Sequence, residues 1–205
     1  MKLMDLSHVL NEETPIYPGD YKTSLKEYKT LEKDYYCSYL LSSCLHTGTH
    51  IDLPMHLLED SRFVMDFSLE NFVGKGVLLD VRGENPIRMK HHYNEMISEG
   101  CVVLLYTGFD KEYRTKEYFT QHPEVSNELA SFLVSRKIKM LGMDMPSPDY
   151  SPFTIHTALL AHNIFLLENL TNLQELLDED NFEVMAFPLK IAAEASFVRV
   201  VCRMD

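Results

Sequence analysis

With 205 residues, 45% of them hydrophobic and 24% charged, the chain is long enough for one substantial core, and no shift in composition marks a boundary within residues 1–205. Its net charge of −12 argues against nucleic acid and anionic membrane as partners, which demand clustered Lys and Arg, and no apolar run reaches the roughly 18 residues of a membrane span. The stretch Met1–His8 lacks a signal-peptide core, and Cys37, Cys44, Cys101 and Cys202 lack C-x-x-C spacing, so they are expected as reduced, mostly buried thiols of a cytoplasmic protein.

Strand-like stretches open the chain at residues 3–10, 23–29 and 36–46. They lead into the most informative segment, His46-Thr47-Gly48-Thr49-His50-Ile51-Asp52-Leu53-Pro54-Met55-His56. Three of the nine histidines and one carboxylate fall inside it, all at even positions. Even positions of an extended strand share one face, and the odd positions Ile51, Leu53 and Met55 ask for a core. His50 and Asp52 would stand roughly 6.6 Å apart along such a strand, within reach of one ion. His46 and His50 would stand roughly 13 Å apart if the strand ran straight, so the chain must bend between them. Gly48, at the midpoint, tolerates a bend, and Pro54 redirects the chain before His56. Three histidines and an aspartate facing one way would be costly to bury without a cation, so the segment is read as a metal-binding strand and bend.

Further strands are expected at 76–82, 101–106, 138–144, 164–168, 183–187 and 197–202. Runs such as Cys101-Val102-Val103-Leu104-Leu105-Tyr106 suit strands covered on both faces. Between them lie helical patterns at 125–137, 155–162 and 171–177, and one around Asn94–Ile97 that ends at Gly100. This alternation argues for an α/β fold with a mixed sheet. Late in the chain, His156 lies near a helix start and Glu168 at the end of an apolar strand, where α/β proteins place sites. Spacing alone leaves each open as either a metal ligand or a surface side chain. His91-His92 and His122 are expected to face solvent, and His162 to be structural. His8 is open between core and pocket, and Ser147 and Asp149 between pocket lining and a proline-rich turn.

Residues 46–56 fit H-x-G-T-H-x-D-x-P-x-H without a break, and this motif resembles that of the cyclase-like metal-dependent hydrolases, among them the bacterial kynurenine formamidases. Other segments resemble the same family: Asp5-Leu6-Ser7, Thr14-Pro15-Ile16-Tyr17-Pro18-Gly19-Asp20, Tyr106-Thr107-Gly108-Phe109 and Gly142-Met143-Asp144-Met145-Pro146-Ser147-Pro148-Asp149. The resemblance implies a swivelling β/β/α domain spanning residues 1–205 and assembling as a homodimer or homotetramer. It implies zinc, or manganese, held by His46, His50 and Asp52, with a second ion held by Asp52, His156 and Glu168. His56 would be the catalytic proton donor and acceptor. Tyr17 stands where formamidases carry a substrate-packing tryptophan, and the chain contains no tryptophan. A turn-flanking surface aromatic is the other reading of Tyr17.

The expected function is metal-dependent hydrolysis of a C–N bond in a small amide, by default N-formylkynurenine to kynurenine and formate, a step of tryptophan catabolism. The alternatives are the same metal chemistry on another small carbonyl compound, as a lactam hydrolase, lyase or cyclase, or a metal-stabilised binding module without turnover.

Overall fold

The apolar run Val102–Tyr106 forms a strand buried along its whole length, because both faces of the sheet around it are covered. This computed structural model describes residues 1–204. Its strands are β1 (Lys2–Asp5), β2 (Ser24–Lys29), β3 (Ser38–Ser42), β4 (His50–Asp52), β5 (Val73–Asp80), β6 (Val102–Tyr106), β7 (Met140–Met143), β8 (Phe165–Glu168), β9 (Phe182–Met185), β10 (Ala195–Phe197) and β11 (Val201–Met204). Its α-helices are α1 (Leu31–Asp34), α2 (Tyr93–Met96), α3 (Asn127–Ser135) and α4 (Thr154–Ala161). Nine strands join in one mixed sheet in the order β1-β11-β9-β5-β6-β7-β8-β4-β10. The central β5, β6, β7 and β8 are parallel, and both flanks are antiparallel. The mixed α/β architecture is the one expected from the alternation of patterns.

Successive residues of the central strands feed opposite cores. Val103 and Leu105 pack with Leu129 and Leu133 of α3 and Leu159 and Leu160 of α4. Val102 and Leu104 pack with Phe72, Phe165, Ile51 and Leu53 on the other face. Helix α3 starts where Ser126 accepts from Leu129 N–H, a side-chain cap for an otherwise unpaired donor. Gly142 in β7 permits close approach: a Cβ there would lie 2.6 Å from Leu104 Cδ2 and 2.8 Å from Leu170 Cδ1. The hairpin of β2 and β3 makes a separate two-stranded sheet; Leu25 is half-buried, while Tyr28, Tyr39, Leu40 and Leu41 are exposed.

Several details differ from the sequence reading. The strand expected at 3–10 ends at Asp5, because the chain turns away, with Ser7 bridging to Leu170. The helix expected at 171–177 is a single 3₁₀ turn, Leu173–Leu176, entered through Asn172 at φ 61. Strand β10 was hidden inside an apolar stretch with no pattern of its own. Cys101 and Cys202 are buried, whereas Cys37 is exposed and Cys44 half-buried, and all four are free thiols. His122, expected at the surface, is 3% exposed. Its ring stacks on Tyr150 at 4.0 Å and its Nδ1 donates to the Pro123 carbonyl, a partnership the local sequence does not display. No described helix is long and apolar enough to cross a membrane.

Candidate metal centre and its pocket

The chain bends at Gly48, whose φ of +67 is the left-handed conformation glycine adopts without a steric cost. His46 lies in the turn before the bend, and β4 begins at His50. In β4, Ile51 points into the core with Leu53 beyond it, while His50 and Asp52 face the other way; Met55 is only half-buried, because Pro54 starts a 3₁₀ turn, Pro54–His56, that carries His56 round. Strand β4 runs antiparallel to β8, with His50 directly opposite Glu168. Directly opposed residues share a face of the sheet. Helix α4 covers that face and brings in His156, 104 residues along the chain from Asp52.

Six sequence-selected side chains therefore meet. Asp52 Oδ1 lies 2.8 Å from His46 Nδ1 and 3.3 Å from His50 Nε2. His50 Nε2 lies 3.4 Å from Glu168 Oε2. His156 Nε2 lies 3.3 Å from Asp52 Oδ2 and 3.6 Å from Glu168 Oε1. The His56 ring stands 4.2 Å from that of His46 and 5.6 Å from that of His156, between centroids. Donor atoms of His46, Asp52 and His56, and of His50, Asp52 and Glu168, each gather within 4.8 Å of one another.

His156 Nε2 is hydrogen-bonded to Asp52 Oδ2, but three other donor atoms are close without being bonded. His50 Nε2, Asp52 Oδ1 and Glu168 Oε1 are fully buried and have no hydrogen-bond partner among the described residues. A buried polar atom left without a partner costs about 1–3 kcal/mol. A divalent cation would satisfy all three, since these residues offer donor atoms within 4.8 Å of one another. Nitrogen and carboxylate donors in this number suit zinc, and also manganese.

The electrostatics agree with that fit. Burial alone would push Asp52 up, but the charges of His46 and His50 hold it well below the usual carboxylate range. Burial, and then the neighbouring charge of Asp52, push Glu168 up. Burial opposes the charged forms of His46, His50 and His156, yet the carboxylates around them raise all three, His156 to about 10. A cation would displace those protons and hold both carboxylates ionised. His56 behaves oppositely: burial, with His46, His156 and His50 adding to it against Asp52, lowers it to about 4. Its imidazole is neutral at pH 7.

Above the donor set lies a pocket of about 250 Å³, walled by Tyr17, Phe119, Phe153, Leu57 and Pro146. Tyr17 meets Phe119 edge-on at 5.7 Å, so it is both partly exposed and part of the wall. Ser147 lines the pocket and accepts or donates at 3.3 Å from His156 Nδ1. Asp149 is buried behind His156 and caps α4 through Ile155 N–H. His8 faces away, stacked on Tyr113 at 3.6 Å; His162 is exposed and donates Nδ1–H to Ala158 O. Sequence reading missed Phe119, Phe153 and Asn169. Asn169 had the one usable signal, its place beside Glu168; the two phenylalanines had none. Phe153 holds φ 57 immediately before α4, a rare conformation for an aromatic residue and one that concentrates at functional sites.

The Cyclase family model matches residues 4–150. The chain is 31% identical to kynurenine formamidase of Bacillus mycoides over 98% of its own length and 96% of that protein's, and 31% identical to that of Bacillus anthracis over 98% and 97%. The chain belongs to the cyclase family. Among solved structures, isatin hydrolase A from Labrenzia aggregata superposes with a TM-score of 0.85 at 23% identity, covering 98% of this chain and 93% of that one. A structure described as a potential metal-dependent hydrolase with cyclase activity superposes with a TM-score of 0.77 at 24% identity, covering 98% and 96%. These likenesses establish the fold, so the swivelling mixed-sheet architecture expected from the motifs is the observed one.

Proposed function

We propose that the protein is a metal-dependent amide hydrolase that cleaves N-formylkynurenine, or a close aryl formamide, to the amine and formate. The observation that carries this reading is the meeting of unpartnered His50, Asp52 and Glu168 atoms directly beneath an aromatic-walled pocket. His46, His50 and Asp52 would hold one ion, and Asp52, His156 and Glu168 a second, with zinc the default and manganese the alternative. A divalent ion bound there supplies polarisation of a carbonyl oxygen and a lowered pKa for water.

The chain's own residues would do the rest. Tyr17, Phe119 and Phe153 present ring faces and edges to an aryl group. Among the described residues, Asp20 is the one charged lining residue outside the donor set, and no Lys or Arg lines the pocket, which suits an ammonium group and disfavours an anionic tail alone. His56 makes no hydrogen bond to another described side chain, so a ring nitrogen is free to work. It would take up the proton lost as water adds to the amide carbonyl, and return it to the departing amine nitrogen.

We further propose a cytoplasmic location, a single hydrolase domain over residues 1–205, and association of identical chains through the exposed β2–β3 hairpin. The test is hydrolysis of N-formylkynurenine by purified protein, with metal content measured on the same sample. Turnover abolished by chelator and restored by zinc or manganese is the expected result. A metal-loaded protein inert on this substrate would reject the formamidase reading and direct the search to cyclic amides.

A further inference from the structure

We infer that Asn169 is a positioning residue for this centre: it holds the Gly48 carbonyl, which in turn fixes the tautomer and direction of His50. The inference rests on the metal-site reading above, and no motif points to it. Asn169 is 4% exposed and holds φ 56 immediately after Glu168. Its Nδ2 donates to the Gly48 carbonyl at 2.9 Å, and its Oδ1 accepts from the Tyr118 hydroxyl at 2.9 Å. Its own carbonyl accepts from Thr49 Oγ1 at 2.6 Å. The same Gly48 carbonyl meets His50 Nδ1 at 2.8 Å.

The hydrogen positions follow by elimination. A carbonyl oxygen only accepts, so the amide atom facing Gly48 is the nitrogen, and Oδ1 faces Tyr118. Tyr118 must then donate, which a phenol that burial pushes well above its ordinary pKa does throughout the working range. By the same logic His50 Nδ1 carries its hydrogen toward Gly48. Asn169 Nδ2 and His50 Nδ1 stand 3.4 Å apart as two donors sharing one acceptor, so neither can bond to the other. Once a cation displaces the second proton of His50, the Nε2 lone pair is left facing Asp52 and Glu168, the form in which imidazole binds a metal. Tyr118, Asn169, the Gly48 carbonyl and His50 thus form one buried line that also pins the bend separating His46 from His50.

Backbone and side-chain roles can be separated. Asn169→Gly keeps access to positive φ while deleting the amide. Asn172→Gly is the control, since Asn172 also has positive φ, 61, and its Nδ2 donates to a backbone carbonyl, that of Asp5, outside the centre. Tyr118→Phe removes only the donor that orients the amide. Zinc affinity of the full chain, measured by competition against a chromophoric chelator, should fall about 10–100-fold in Asn169→Gly. Tyr118→Phe should lose less, and Asn172→Gly should match the unmodified chain. A cooperatively melting Asn169→Gly protein that binds zinc within about twofold of the unmodified chain would overturn the inference. So would an equal loss in Asn172→Gly. If Asn169→Gly does not fold, Tyr118→Phe decides, and unchanged affinity there rejects it. An unmodified chain that takes up no zinc would overturn the metal reading and this inference together. Zinc uptake without formamide turnover would reject only the substrate.

Discussion

Two neighbouring regions each reverse the usual rule of burial. In the β2–β3 hairpin, Tyr28, Tyr35, Tyr36, Tyr39, Leu40 and Leu41 are exposed, Leu40 at 62%. A few residues later, His50 and Asp52 are each 1% exposed, beside Glu168 at 5%. Large apolar groups in water and ionisable groups out of it are both costly unless something covers or pairs them, but the costs are of different kinds. The hairpin lacks area, because a two-stranded ribbon cannot cover its own faces. Charge is not its deficit: residues 21–42 contain Lys22, Lys26, Lys29 and Lys33 against Glu27, Glu32 and Asp34. In the donor set, His50 Nε2, Asp52 Oδ1 and Glu168 Oε1 are buried without a hydrogen-bond partner among the described residues, and a divalent cation would satisfy them. The difference teaches that burial alone identifies neither; the chemistry of the misplaced groups says what completes them.

The sharpest way to break this comparison is to remove the shared carboxylate. Asp52→Ala should abolish both metal content and measurable turnover, and retention of stoichiometric metal would show that the cluster is not its holder. His56→Ala separates holding from chemistry. It should keep the metal and lose about 10²–10⁴-fold in turnover; a loss below about threefold would remove His56 from proton transfer.

A smaller effect comes from a buried histidine that does have partners. His122 is held at about 4 by burial, below the ordinary 6.5 it regains on unfolding. The unfolded chain binds the extra proton, so His122 supports folding above pH 6.5 and that support is lost as pH falls toward 4. Metal-free protein should lose at most about 3 kcal/mol from this source across that window. His122→Gln should flatten the slope of stability against pH there, as measured by denaturant melts; an unchanged slope would place the acid sensitivity elsewhere. The smallest effect on the fold belongs to the hairpin. Leu40→Asp should change folding stability within about 0.5 kcal/mol and, under the association proposed above, make the chain sediment as a monomer. An unmodified chain that sediments as a monomer at all concentrations would end the analogy between the two regions.

The legible part of this protein was local. A continuous apolar run, Cys101–Tyr106, identified β6 because a strand covered on both faces needs no alternation. Alternation identified the two faces of β4, with Ile51 and Leu53 inward. Gly48 announced the bend because a straight strand would hold His46 and His50 too far apart. His122 and Phe119 were illegible for the opposite reason: what they do depends on Tyr150 and Tyr17, and neither neighbourhood carries a periodic signature.

That His46, His50, Asp52 and His56 could converge was readable from eleven residues alone, since two-residue periodicity and a glycine bend act over distances a short backbone controls. That β8 lies against β4 and that α4 roofs them depends on how the whole chain packs. That placement puts Glu168 opposite His50 and His156 within 3.3 Å of Asp52. It also brings Asn169 to the Gly48 carbonyl, 121 residues away in the chain. Strand order is set by the packing of the whole sheet and its two cores, which is a property of every strand at once and is written in none of them singly.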